Sequence, residues 1–225
     1  MDTIRKNITA YYDFLHHLII RNTYIFIIIL AFFTSLNLHS QNLFHQKEIV
    51  NKHIELSYFD AIHIQGDCKV ILVDSDVHST IIETEKHQLN KIEINVADSI
   101  LNVKMNGQLY PQPIFYIYFY DIKEIITKGA VQMSCETNIT PDYLKIYTDY
   151  YTEIDLFLSS DQLFCHVAGY GSVNIEGEII DFNVKTYDES ALSCNIYSHV
   201  IRSEIQDMSS IELKGTTDLI QADIK

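Results

Sequence analysis

The chain has 225 residues, and its 30 Asp and Glu against 16 Lys and Arg give a net charge of −14 at pH 7. Such an acidic surface repels phosphate backbones, so the composition argues against DNA or RNA as a partner. Hydrophobic residues make up 47% of the sequence, which is enough for the core of one globular domain.

Residues 1–40 have the features of a targeting segment. The basic residues Arg5 and Arg21 precede the apolar run of residues 24–36, and Ser40 offers a cleavage position. The run suits the apolar region of a signal peptide and is shorter than the ~20 residues that span a bilayer as a helix. Two alternatives stay open, a cleaved signal peptide and an uncleaved N-terminal membrane anchor.

Either alternative predicts an exported protein, located in the periplasm, in the outer membrane or at the cell surface. The membrane is then a partner only through residues 1–40, if they are uncleaved. Residues 41–55 are predicted to be a linker, and residues 56–225 a single domain.

Short segments with alternating apolar and polar residues occupy residues 56–121. Examples are CKVILV at 68–73, KIEINV at 91–96 and IFYIYFY at 114–120. Short strands separated by turn residues predict an all-β fold. We predict that these N-terminal strands form a cap, with one helical turn at residues 88–90.

From residue 122 onward the chain consists of repeats, and from Leu144 each unit is 19 residues long. The clearest apolar columns are Leu144, Leu163, Phe182, Ile201, Ile220 and Ile154, Val173, Leu192, Ile211. Apolar residues recur two apart within each unit, as in strands with one buried face. A 19-residue unit cannot bury its own apolar face, but stacked copies share a core. Residues 122–225 are therefore predicted to be the rungs of a parallel β-solenoid.

Two stretches resemble the head GIN domain family of auto-transporter adhesins. FDAIHI at residues 59–64, followed by KVILV at 69–73, resembles the opening of that family, and AGYGSVNIEG at 168–177 resembles its repeated glycine turn and short strand. The resemblance covers residues 55–225. It implies a right-handed, single-chain β-solenoid of a type found mostly in exported Bacteroidetes proteins, without an established activity.

The chain departs from this family pattern at its turns, where glycine is replaced. Tyr170 occupies the serine position of one Gly-Ser-Gly turn, and Thr152, Ser190 and Ser209 each stand where the family has a glycine. Whether these turns are as tight as turns with glycine therefore depends on the contacts that the replacing side chains make.

The four cysteines and ten histidines show no spacing typical of a metal or redox site. Cys165 and Cys194 fall in inward columns, which predicts buried thiols, although export would also permit disulfides. Cys68 and Cys135 have no evident partner. We predict no cofactor, no metal and no catalytic residue.

One outward column mixes charges of both signs. It reads Tyr147, His166, Lys185, Glu204, Asp223. Polysaccharide-cleaving solenoids need clustered carboxylates on such a face, so a carbohydrate-active enzyme is one alternative. A solvated ladder of surface charges is the simpler interpretation, and we favour it.

Tyrosines at outward and corner positions of the first three repeats are the best candidates for a binding surface. They are Tyr147, Tyr150, Tyr151, Tyr170 and Tyr187, with Phe157 and Phe164 nearby in the sequence. Amphipathic aromatic rings suit contacts with proteins or glycans. Stacking between rungs for stability is the alternative.

The last half-unit, residues 220–225, caps the repeats poorly, which predicts self-association through the C-terminal end of the solenoid.

The favoured function is that of an exported, non-enzymatic adhesion or surface-binding module of the cell envelope. The alternatives are the carbohydrate-active enzyme and a membrane-tethered structural protein of the envelope.

Overall fold

The computed structural model describes residues 48–225, so the targeting segment predicted at 1–40 lies outside the described residues. The strands are β1 (Ile49–Glu55), β2 (Ala61–Gln65), β3 (Cys68–Asp74), β4 (Ser79–Glu85), β5 (Ile92–Ala97), β6 (Ile100–Met105), β7 (Ile114–Phe119), β8 (Glu124–Lys128), β9 (Val131–Cys135), β10 (Tyr143–Asp149), β11 (Glu153–Val167), β12 (Ser172–Thr186), β13 (Ala191–Ile205) and β14 (Ser210–Ile224). A 3₁₀ helix at Lys86–Lys91 contains the predicted helical turn.

The 19-residue repeat is the offset between stacked strands. Strands β11 to β14 pair in parallel, and their register places Ile154 opposite Val173, Val173 opposite Leu192, and Leu192 opposite Ile211. Residues of one apolar column thus lie on neighbouring strands, roughly 4.8 Å apart. The predicted β-solenoid is confirmed.

Each of these long strands contributes to two walls. The first half of β11 pairs with β9, its second half pairs with β10, and two consecutive exposed residues, Asp161 and Gln162, mark the bend between them. We call the wall formed by β5, β6, β2, β8, β10 and the second halves of β11–β14 the front wall. The back wall comprises β1, β4, β7, β3, β9 and the first halves of β11–β14. The apolar columns of both walls form one hydrophobic core.

The solenoid begins earlier in the chain than residue 122, which corrects the predicted boundary between cap and rungs. β2 pairs in parallel with β8 and β6, and β3 pairs in parallel with β9 and β7. Among the strands of residues 48–225, the antiparallel pairs are β1 with β4, β4 with β7 and β5 with β6. The insertion of β4, the 3₁₀ helix and β5 between β3 and β6 breaks the regular spacing, so the sequence alone does not reveal these rungs.

The end of the predicted linker is also part of the fold. Residues 49–55 form β1, which pairs with β4 along its whole length. Val50 and Ile54 are half-buried while their neighbours are exposed, so the segment has the alternation of an edge strand. Within residues 48–225 there is no helix whose length and apolar character would let it cross a membrane.

Side-chain hydroxyls close the turns in which glycine is replaced. The Thr152 hydroxyl lies 3.2 Å from the Gly129 carbonyl oxygen and 3.1 Å from that of Asp149. The Ser190 hydroxyl donates to the Val167 carbonyl oxygen at 2.9 Å. Each hydroxyl hydrogen-bonds to carbonyl groups at the corner, so the turns stay tight without a glycine.

Candidate functional site

Three tyrosines form an exposed cluster at the corner where the front wall passes into the back wall. The rings of Tyr151 and Tyr170 stack at 4.9 Å with an interplanar angle of 11°, and Tyr150 meets Tyr151 edge-on at 4.8 Å. Tyr151 and Tyr170 are one repeat apart, and the distance between rungs matches the stacking distance of rings. The three side chains remain 56%, 52% and 53% exposed in the order Tyr150, Tyr151, Tyr170. We call them the corner stack.

A second aromatic cluster lies on the outer face of the front wall. Tyr147 contacts Phe164 at 5.7 Å and His166 at 5.9 Å between ring centroids. His166 stacks on Tyr187 at 4.8 Å with an interplanar angle of 25°. These four residues are half-buried, and we call them the face stack.

The five predicted tyrosines therefore fall into two groups. Tyr150, Tyr151 and Tyr170 lie in the corner stack, whereas Tyr147 and Tyr187 lie in the face stack and are linked through His166. His166 was not predicted as a binding residue. Its position in the outward column directly after Tyr147 was the available signal. Phe157 is exposed on the back wall and belongs to neither group.

The surroundings of His166 favour its neutral form. Its burial among the aromatic rings, together with the nearby Lys185 cation, lowers the pKa of the imidazole. The face stack is thus an uncharged, amphipathic surface in a strongly acidic chain.

The mixed column on the front wall is a ladder of ion pairs. Lys185 Nζ lies 2.9 Å from a Glu204 carboxylate oxygen, and Lys225 Nζ lies 2.8 Å from the other. These contacts, with a hydrogen bond from the Gln206 amide, lower the pKa of Glu204 to about 2. A general acid for glycoside cleavage needs a raised pKa, so this carboxylate is unsuited to that role.

The depressed pKa of Glu204 predicts a pH-dependent stability. The carboxylate stabilises the folded state above its ordinary pKa of 4.5, and this contribution is lost as the pH falls from 4.5 towards 2, because protonation breaks both lysine contacts. Urea denaturation between pH 6 and pH 2 should show a smaller loss of stability for Glu204→Gln than for the wild type. Glu176→Gln, an exposed change on the back wall, is the control and should keep the wild-type pH profile.

The cysteines behave as core residues. All four are free, and Cys68, Cys165 and Cys194 are buried. Burial raises the pKa of Cys68 and of Cys194 to about 12 and raises that of Cys165 strongly as well, which makes these thiols unreactive. Among residues 48–225, no group of three or more His, Cys, Asp or Glu is arranged to hold a metal ion.

The fold and its outer surface define a parallel β-solenoid that carries two clusters of aromatic residues on its outside. The chain belongs to the family described as putative auto-transporter adhesin, head GIN domain, whose model matches residues 58–194. This confirms the predicted resemblance, and it indicates a surface adhesin-like role. None of the curated proteins matches the chain.

Solved structures share the fold at low sequence identity. A putative adhesin from Bacteroides fragilis has a TM-score of 0.60 and 15% identity, with 79% of this chain and 98% of that chain covered. A putative adhesin from Parabacteroides distasonis has a TM-score of 0.57 and 15% identity, with coverage of 80% and 95%. A putative lipid binding protein from the same species has a TM-score of 0.54 and 15% identity, with coverage of 80% and 94%.

Proposed function

We propose that the protein is an exported, non-catalytic adhesion module that attaches to a surface ligand through the corner stack and the face stack. The corner stack carries this proposal, because three tyrosine rings are held in fixed positions while half of each remains in solvent. Tyrosine presents a rigid ring and a hydroxyl at a small cost in conformational entropy, which suits recognition surfaces.

A role in stabilising the rungs explains the corner stack less well than a role in binding. A stacked aromatic pair contributes about 0.5–1.5 kcal/mol. The rungs are already joined by continuous parallel ladders and by a core that includes fully buried Phe182 and Ile154. Exposed aromatic clusters of this kind typically mark contact sites.

Disrupting the corner stack should weaken attachment without unfolding the protein. We expect the double variant Tyr151→Ala, Tyr170→Ala to bind bacterial and host-cell surfaces about tenfold more weakly than the wild type, because aromatic residues dominate binding at most interfaces. The measurement is attachment of the labelled full-length protein to whole cells, with circular dichroism as a check of the fold.

The matched control is Tyr197→Ala. Tyr197 is an equally exposed tyrosine near the opposite corner, where its ring contacts only His199 among the aromatic residues of the described chain. Attachment of this variant should equal that of the wild type. Equal losses in both variants, or no loss in the double variant, would contradict the proposal.

Self-association through β14 is a second proposal. The outer edge of β14 pairs with no other strand of residues 48–225, and its Leu219, Ile220 and Ile224 are 45%, 51% and 75% exposed. A free edge with apolar side chains favours pairing with another strand. Sedimentation of the full-length protein over a concentration series should show a growing oligomer fraction. A strict monomer at high concentration would exclude it.

A further inference from the structure

A groove of about 430 Å³ runs along the outer face of the front wall, next to the face stack. Its floor is the sheet at Val184, Ser203 and Ala222, and one side is a column of outward residues. That column reads Phe164, Asn183, Arg202, Gln221, and the ion-pair ladder of Lys185, Glu204 and Asp223 forms the other side. The column spans three rung spacings, roughly 14 Å.

The charges in and beside the groove balance one another. Three cations, Lys185, Arg202 and Lys225, are paired with three anions, Glu204, Asp181 and Asp223. The chain as a whole carries a net charge of −14. The groove is therefore a locally neutral region on an acidic protein, and no uncompensated charge favours an ionic ligand.

The groove also offers uncharged hydrogen-bonding groups next to an aromatic ring. The Gln221 amide has no hydrogen-bond partner among residues 48–225, and Asn183 uses only its NH₂ group, which donates to Asp181 at 3.2 Å. Side-chain amides both donate and accept, as sugar hydroxyls do. Phe164 lies at the start of the column and lines the groove, and an aromatic ring can pack against the C–H face of a sugar.

We infer that this groove binds an uncharged oligosaccharide that lies across the strands, with one sugar against Phe164 and its hydroxyls on Asn183 and Gln221. The inference rests on the proposed adhesive function and names its ligand class. The ion-pair ladder forms one side of this binding site. Glu204, the carboxylate in the middle of the ladder, is unsuited to be a general acid, so we expect the sugar to be bound without being cleaved.

The test is a calorimetric titration of the full-length protein with neutral tetrasaccharides of the glucan, mannan and chitin type, and with the charged tetrasaccharide of galacturonic acid. At least one neutral tetrasaccharide should bind more tightly than the charged one. The double variant Asn183→Ala, Gln221→Ala should weaken that binding about tenfold, since two hydrogen-bonding amides are lost. Phe164→Leu should also weaken it, because it keeps apolar volume and removes the planar ring.

The matched control is Asn195→Ala, which removes an exposed amide from the back wall and should leave the affinity unchanged. No binding of any neutral tetrasaccharide, tighter binding of the charged one, or equal effects of the groove and control variants would overturn the inference.

The two proposals fail separately. If the corner-stack variant loses cell attachment while no neutral tetrasaccharide binds, the adhesive function stands and the groove inference is wrong. If a tetrasaccharide binds through the groove amides while the corner-stack variant still attaches to cells, the groove stands and the corner stack is not the adhesive site.

Discussion

Val173→Asp is expected to lower the free energy of unfolding by about 4 kcal/mol or more. Val173 is fully buried in β12, between Ile154 of β11 and Leu192 of β13, and these neighbours are apolar and buried. An aspartate there would place an unpaired charge inside the ladder. Typical domains are stable by about 5–15 kcal/mol, so this single change should remove a large share of the stability. Urea denaturation followed by circular dichroism measures the loss.

The neighbouring residue provides the control for this prediction. Asn174 points outward from the same strand, and Asn174→Thr should change stability by less than about 1 kcal/mol. Aspartate is unsuitable at this position, because the Asn174 amide donates to an Asp155 carboxylate oxygen at 2.7 Å and a second carboxylate would repel it. Equal losses for Val173→Asp and Asn174→Thr would contradict the assignment of inner and outer faces.

The second large effect is expected at Gly177, at the end of the family-like segment. Gly177 has a φ of +136°, and a Cβ atom there would lie 2.0 Å from the Leu158 carbonyl oxygen of the preceding rung. That oxygen is backbone and cannot move without disturbing the ladder. Gly177→Ala should therefore cost about 3 kcal/mol or more, the sum of backbone strain and steric overlap. The shift of the urea midpoint measures this cost.

Gly107→Ala separates the two contributions. Gly107 also has a positive φ, +90°, but nothing lies within 4 Å of its Cβ position. Only the backbone strain remains there, so the loss should be about 1 kcal/mol. A Gly107→Ala loss as large as that of Gly177→Ala would show that close approach of the rungs is not the cause.

Much of the fold follows from local pattern. The alternation of apolar residues in columns such as Leu144, Leu163 and Phe182 determines which side chains face inward, because side chains on a strand alternate between two faces. The constant spacing of the columns determines the register of β11–β14, and with it the stacking of Tyr151 on Tyr170.

The N-terminal half depends on pairing between distant segments. β6 and β7 lie beyond β2 and β3 in the stack, although they follow them in the chain, and β4 and β5 turn back to pair antiparallel. The order of these strands in the sheet cannot be read from a repeat spacing. The alternation of apolar and polar residues along a strand is the same whichever strand it pairs with. The same limit explains why the linker predicted up to residue 55 includes strand β1.

The sequence by itself determined that this is an acidic, all-β chain of stacked rungs, and which of its tyrosines face outward. Only the tertiary structure decided how outward residues are grouped. It joined Tyr147 to Tyr187 through His166, paired Glu204 with two lysines, and left the Gln221 amide beside the groove without a hydrogen-bond partner within residues 48–225. The reason is physical: alternation selects a face, whereas contacts on that face depend on side-chain conformations across several rungs.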